Sequence, residues 1–343
     1  MVRNQCDIRD LSYPELTAYL DSIHEAPFHA DQVFEWIYQK QVRQFDRMSN
    51  LSSGLRAQFK GHFILFEPAV LQKNVSSDGT VKVLFELQDK EKIETVMIPA
   101  SQRVTLCVST QAGCKFGCRF CASGIGGWKR NLTCAEILSQ ILAMNRITEA
   151  RRISHIVFMG VGEPLDNYDN LIKAVRVINS PKGLNIAARR ITVSTCGIIP
   201  MIKKLAEEGL QIELAVSLHG FSDESRNILM PVNKKYPIKD LIDACRQYSE
   251  ATRRQITFEY ILIKGVTCTE KAAEGLGRLL KGLLCKINLI PCNPVSEFDY
   301  EPPSRDQICS FRDQLQRLGV HATIRTPRGK DVSAACGQLR HTI

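Results

Sequence analysis

The 343-residue chain carries 45 Lys and Arg against 36 Asp and Glu, a formal net charge of +9, and is 44% hydrophobic and 24% charged. That composition excludes a chain dominated by disorder and suffices for one large domain beside a smaller one. No run approaches the roughly 18 to 20 apolar residues of a membrane span, and the start MVRNQCDIRDLSYPE has neither region of a signal peptide, which predicts a cytoplasmic protein with no membrane partner.

Residues 1 to about 60 show helical periodicity in short pieces: Leu16, Tyr19 and Leu20, then Val33, Phe34, Ile37 and Tyr38, then Leu51, Leu55 and Phe59. Alternation follows in PAVLQKNV, VKVLFEL and KIETVMI, with Ser77-Asp78-Gly79 and Asp89-Lys90 as turns, so residues 65 to 99 read as a three-stranded meander closed by Pro99. From there strand and helix repeat. The strands are VTLCVST from 104, ISHIVFMG from 153, ITVST from 191, IELAVSLH from 212, ITFEYILI from 256 and INLIPC from 287, near-continuously apolar as parallel strands buried on both faces should be. One helix is expected after each. Capping boxes at Thr133 with Glu136 and at Ser304 with Gln307 mark two helix starts, and Gly319 marks the last end. Six such units with right-handed crossovers curl into a partial barrel, an α/β fold whose working residues lie at the C-terminal strand ends. A short strand in HATIRT and a tail ending in AACGQL complete the chain.

The stretch GCKFGCRFCA places Cys114, Cys118 and Cys121 in one tight loop after the first barrel strand. A structural zinc site wants four closed ligands, and no second pair of cysteines at such spacing occurs in the chain. Three thiolates suit a cubane 4Fe-4S cluster, with the fourth iron open to a small molecule that must bind metal to be activated. Of the thirteen cysteines, the rest read as reduced thiols, most of them buried hydrophobes. Basic doublets at Arg151/Arg152, Arg189/Arg190, Lys234/Lys235 and Arg253/Arg254 point to phosphate backbones or to solvated strand and helix ends. Trp128 is expected to pack, and Lys129 and Arg130 to touch RNA.

The cysteine loop with Phe120 before its last cysteine, together with GVGEPLDN, VSLH, MPVNKKYPI, LIPCNP and AACGQL, resembles the RlmN/Cfr family of radical S-adenosylmethionine (SAM) adenosine methyltransferases over essentially the whole chain. Glu163-Pro164 and the short Ile98-Pro99 linker favour its carbon-2 branch over its carbon-8 branch. The resemblance implies one 4Fe-4S cluster on Cys114, Cys118 and Cys121, and two SAM molecules per turnover. SAM would be held at Gly162, Glu163, Ser194, Ser217, Leu218, His219 and Asn293, with glycine allowing close approach of the ligand. Cys336 would carry a methyl group to carbon 2, Glu94 would accept the ring proton, and Cys107 would resolve the adduct, ending disulfide-bonded to Cys336. The partners implied are 23S rRNA, in some members tRNA beside the anticodon, and an electron donor such as flavodoxin. The expected division is a helical RNA-binding module over 1–64, a meander carrying Glu94 over 65–99, the radical SAM core over 100–330 and the tail over 331–343. Two other classes stand beside this one. A non-catalytic iron or zinc RNA-binding module leaves GVGEP, Glu94 and ACGQL unexplained, and a tRNA methylthiolase needs a second three-cysteine cluster, whereas the first 100 residues hold only Cys6.

Overall fold

Three short helices lead into the sheet in this computed structural model, which describes residues 5–148 and 152–340. Helix α1 (Tyr13–Ser22) starts on a capping box in which Ser12 and Glu15 satisfy each other's backbone N–H, with Pro14 in the first turn. Helices α2 (His29–Phe34) and α3 (Ser53–His62) pack on it through Leu16, Leu20, Val33, Phe34, Leu55 and Phe59, all buried. Tyr19, of the same periodicity, stays half-buried, with its hydroxyl on His62 Nδ1. Strand β1 (Cys6–Asp7) pairs with β2 (Phe63–Ile64) and ties the two ends of this module together.

Strands β3 (Ala69–Val75), β4 (Val81–Glu86) and β5 (Lys92–Pro99) form the antiparallel meander. The turn before β4 depends on Gly79 at φ +81° and on the Asp78 carboxylate, which accepts from the Thr80 N–H. The meander continues into the barrel, because β5 pairs antiparallel with β6 (Val104–Cys107) in one ten-stranded sheet. A hairpin of β7 (Gln111–Gly113) and β8 (Trp128–Asn131) stands apart from that sheet and encloses the cysteine loop, a feature the sequence reading did not contain.

After α4 (Cys134–Ile147) and β9 (His155–Phe158) come α5 (Tyr168–Asn179), β10 (Ile191–Thr195), α6 (Ile199–Glu207) and β11 (Glu213–Ser217). Both expected capping boxes are present, Thr133 with Glu136 on α4 and Ser304 with Gln307 on the last helix. The fourth unit departs from one helix per strand. Met230 is extended before Pro231, and Pro237 starts a new segment, so the chain after β11 makes α7 (Asp223–Leu229) and then α8 (Ile238–Thr252). Strand β12 (Ile256–Leu262), α9 (Glu270–Leu279), β13 (Cys285–Pro291), α10 (Arg305–Arg317) and β14 (Ala322–Ile324) follow. Strands β6, β9, β10, β11, β12, β13 and β14 neighbour one another in chain order and run parallel, which curls the sheet into a partial barrel.

One expectation is corrected here. The sequence pattern predicts strands buried on both faces, yet β10 alternates between buried and half-buried residues and β13 does so from Lys286 on, with Thr192, Ser194, Lys286, Asn288 and Ile290 half-buried in these runs. The outer face packs under the helices, while the inner face lines open space that a partial barrel of this curvature does not fill.

Candidate active site

The cysteine loop is shaped by its hairpin. Gly113 sits at φ +76°, and a Cβ there would fall 1.9 Å from the Gly127 carbonyl oxygen, so no other residue fits. The Cys114 N–H donates to that carbonyl (3.1 Å) and the Cys121 N–H to the Cys118 carbonyl (3.1 Å). All three thiols line one cavity at the C-terminal strand ends. Burial pushes Cys114 up to about 12, and burial likewise raises Cys118 and Cys121, so these thiols ionise only with a cation to hold them. Among the described residues no three such side chains converge on a single ion. Thiols that each take a different iron of a cubane need not converge.

The strand ends bring polar groups to the same cavity. Glu163 is buried, which raises its pKa, and its carboxylate accepts from the Cys196 N–H (2.7 Å) and the Leu165 N–H (3.1 Å). Ser194 and Ser217 line the cavity beside His219, a non-glycine residue at φ +50°. Nδ1 of His219 accepts from the Ile261 N–H (3.0 Å), and its ring packs edge-on to Phe120 at 4.7 Å. Burial first, then Arg226, lower its pKa to about 3, so the ring is neutral and keeps its proton on Nε2. Asn293 donates to the Cys336 carbonyl (3.1 Å), while its buried Oδ1 has no hydrogen-bond partner among the described residues. Leu218 does not line the cavity; it is fully buried, and its carbonyl accepts from Arg226 Nε (3.0 Å).

The tail closes over this side of the barrel. The Ala122 N–H donates to the Gly337 carbonyl (2.7 Å), Ser123 Oγ to the Leu339 carbonyl (2.8 Å) and Gln338 to the Pro294 carbonyl (2.9 Å). Cys336 therefore lines the cluster-loop cavity and also a second one inside the barrel, where Cys107 lies. Burial, with Cys336 nearby, pushes Cys107 up to about 12. Glu94 lines neither cavity. Its carboxylate pairs with Lys82 (2.9 Å) and accepts from the Arg340 N–H (2.7 Å).

Residues 108–272 match the Radical SAM superfamily, and residues 6–65 match the ribosomal RNA large subunit methyltransferase N-terminal domain. A "probable dual-specificity RNA methyltransferase RlmN" of Staphylococcus epidermidis is 48% identical over 335 residues, 97% of this chain and 92% of that protein. One of the same name from Lachnospira eligens is 44% identical over 337 residues, covering 98% and 96%. The crystal structure of a radical SAM methyltransferase from Sphaerobacter thermophilus superposes with a TM-score of 0.93 at 43% identity, over 98% of this chain and all of that one. The chain belongs to the RlmN family.

Membership in the radical SAM superfamily implies a 4Fe-4S cluster and SAM, and the site fits both. Three thiols face one cavity, and a buried carboxylate and the orphaned Asn293 Oδ1 offer acceptors to an ammonium group at its wall. In this RlmN-family chain Gly162 of GVGEP lines the cavity and has a second, structural reason to be glycine. Gly162 lies at φ +105°, and a Cβ would come 2.5 Å from Gln111 Cβ, so the glycine makes room for Gln111. Gln111 in turn accepts from the Glu163 N–H (2.8 Å) and donates to Asn131 and Asp166. Gly162→Ala is expected to cost about 1 to 3 kcal/mol through overpacking and to weaken SAM binding by displacing Glu163. A thermal midpoint and calorimetric SAM affinity equal to wild type would refute this.

Some site residues were missed. Arg325 and Glu259 line both cavities, with Asn288 donating to Glu259 (2.9 Å) and Arg325 held in its charged form chiefly by Cys336, then by Glu259 and Cys107. A lone carboxylate inside ITFEYILI and a lone arginine inside HATIRT were the available signals. Cys196, read as an ordinary buried thiol, lines the cluster-loop cavity, and Cys6 is exposed.

Two further expectations change, and for one basic doublet the helix-end reading holds. Trp128 is 43% exposed, with Lys115 Nζ over its ring at 5.6 Å, because β8 offers it no core. Arg130 is fixed by both oxygens of Glu136 and by Asp89, so it fastens the hairpin to α4 and the meander and is not free for RNA. In the doublet Arg253/Arg254, the first residue is the left-handed cap of α8 and the second pairs with Glu213. Arg151 lies outside the described residues.

Proposed function

We propose that this RlmN-family chain methylates carbon 2 of an adenosine in 23S rRNA, and of the adenosine beside the anticodon in tRNA, with the methyl group carried on Cys336. The observation that carries the reading is the position of Cys336, which lines both the cavity of Cys114, Cys118 and Cys121 and the barrel interior that holds Cys107. The relatives' names, dual-specificity RNA methyltransferase, support RNA as substrate, and the match of residues 6–65 to a ribosomal RNA large subunit methyltransferase N-terminal domain favours rRNA. Cys114, Cys118 and Cys121 would hold three irons of one cluster, and Glu163, Ser194, Ser217, His219 and Asn293 would hold SAM, with Gly162 and Leu218 supporting them through the backbone. The bound pair supplies a deoxyadenosyl radical when an electron donor such as flavodoxin delivers an electron.

Carbon 2 of adenine is electron-poor and does not attack the methyl of SAM as a nucleophile. Cys336 therefore accepts a methyl from one SAM, gives up one hydrogen atom of it, and adds through that carbon to the base. The adduct would then lose its ring proton to Glu94 and one electron to an acceptor such as the bound cluster, and Cys107 would displace the carbon from the Cys336 sulfur, forming a disulfide while the released carbon takes up a proton to become the methyl group. Glu94 is engaged by the Arg340 N–H, so its turn as base requires the tail to shift. Residues 1–64, with the basic surface, would bind RNA. Mass spectrometry of nucleosides from rRNA and tRNA treated with loaded enzyme, SAM and reductant should show 2-methyladenosine; 8-methyladenosine in its place would reassign the position.

A further inference from the structure

The barrel interior is a channel, and its far mouth carries unpaired positive charge. Its wall is made of small polar residues, Thr105, Thr192, Thr257, Asn288 and Thr323, where a closed barrel would pack branched apolar layers. At the N-terminal strand ends the channel opens between Arg103, Arg189, Arg190 and Lys286, none of which makes an ion pair among the described residues. Burial, and then the charges of Arg103 and Arg190, hold His155 below its ordinary pKa, which places those guanidinium groups at the same mouth. At the other end of the channel stand Cys107 and Cys336. The C-terminal side above them is closed by the tail's hydrogen bonds to Ala122, Ser123 and Asn293.

Resting on the function proposed above, we infer that the RNA reaches its thiols from the N-terminal mouth of the barrel: one unpaired nucleotide enters the channel while flanking phosphates bind Arg103, Arg189, Arg190 and Lys286. Cys107 lines the channel and not the cluster-loop cavity, so a base that both thiols must touch has to come within the channel. Arg103 precedes Cys107 by four residues of extended chain, about 13 Å, a depth that a single flipped nucleotide spans and a duplex does not. SAM and RNA then occupy opposite sides of Cys336.

The test uses the cluster-loaded enzyme and a fluorescein-labelled RNA stem-loop with one unpaired adenosine. Reversing two exposed charges, Arg189→Glu with Arg190→Glu, should weaken RNA binding by about tenfold or more and flatten the slope of log affinity against log salt by more than about one unit. Arg189→Lys with Arg190→Lys should restore binding. Thr192→Trp, a plug in the channel wall, should stop RNA methylation. Methylation of Cys336 by SAM without RNA, read by peptide mass spectrometry, should persist in all of them. Wild-type RNA affinity in the charge reversal and wild-type turnover in the plugged variant would overturn the route. Failure of the wild-type enzyme to methylate any RNA would instead overturn the function on which it rests.

Discussion

Alanine at Cys336 and alanine at Cys107 are expected to stop the enzyme at two different points. Cys336→Ala removes the sulfur that accepts the first methyl, so neither a methylated C-terminal peptide nor an RNA adduct should form. Cys107→Ala leaves every earlier step intact, so the methylene carbon still bonds to adenine, but no second thiol can break the carbon–sulfur bond and protein should accumulate covalently on RNA. Burial pushes Cys107 up to about 12, so in the proposed mechanism it must lose its proton before it can attack as the thiolate. Arg325 opposes that rise from beside both thiols. A denaturing gel with labelled RNA, read beside mass spectrometry of the tail peptide, separates the two cases. Wild-type turnover by Cys336→Ala would sink the mechanism, and an adduct with Cys336→Ala but none with Cys107→Ala would exchange the two roles.

Alanine at Cys118 should remove bound iron and cleavage of SAM together, to below detection, and the same holds for Cys114 and Cys121. Burial raises the thiol of Cys118 well above its ordinary value, so an apo site presents neutral thiols, and the free energy of metal binding must cover their deprotonation. The loop itself should persist without Cys118, since its hairpin pairing and the Cys114 N–H bond to Gly127 do not depend on that side chain. Iron content after anaerobic reconstitution and formation of deoxyadenosine are the two readouts, with circular dichroism to verify the fold. Full iron in the alanine variant, or a wild-type protein active with stoichiometric zinc instead, would show that the three cysteines do another job.

What could be read from the residues in order was what is short-range in the chain. The three cysteines fall within one loop, and their spacing announces the cluster because the ligands need no distant strand to meet. The capping boxes at Thr133 and Ser304 act across three residues, and the repeated strand-helix pattern implies a parallel sheet through the right-handed crossover alone. Resemblance to a known family, not spacing, singled out Cys336, Cys107 and Glu94, each of which by itself looks like any thiol or carboxylate in its segment.

Only the tertiary structure decided which of these groups share a space. Cys107 and Cys336 come from the first barrel strand and the tail, and they line one cavity because seven strands curl through parallel pairing until the tail can cross the opening. The same curl makes the two faces of each strand unequal: helices cover one, and the other lines a channel, which the apolar runs from 191 and 287 could not reveal. Charge showed the same limit. Arg130, Arg189 and Arg254 look alike in sequence, but Glu136 and Asp89 take the first and Glu213 takes the third, while Arg189 makes no ion pair among the described residues and stands exposed at the channel mouth, because only folding decides which cation is brought a carboxylate.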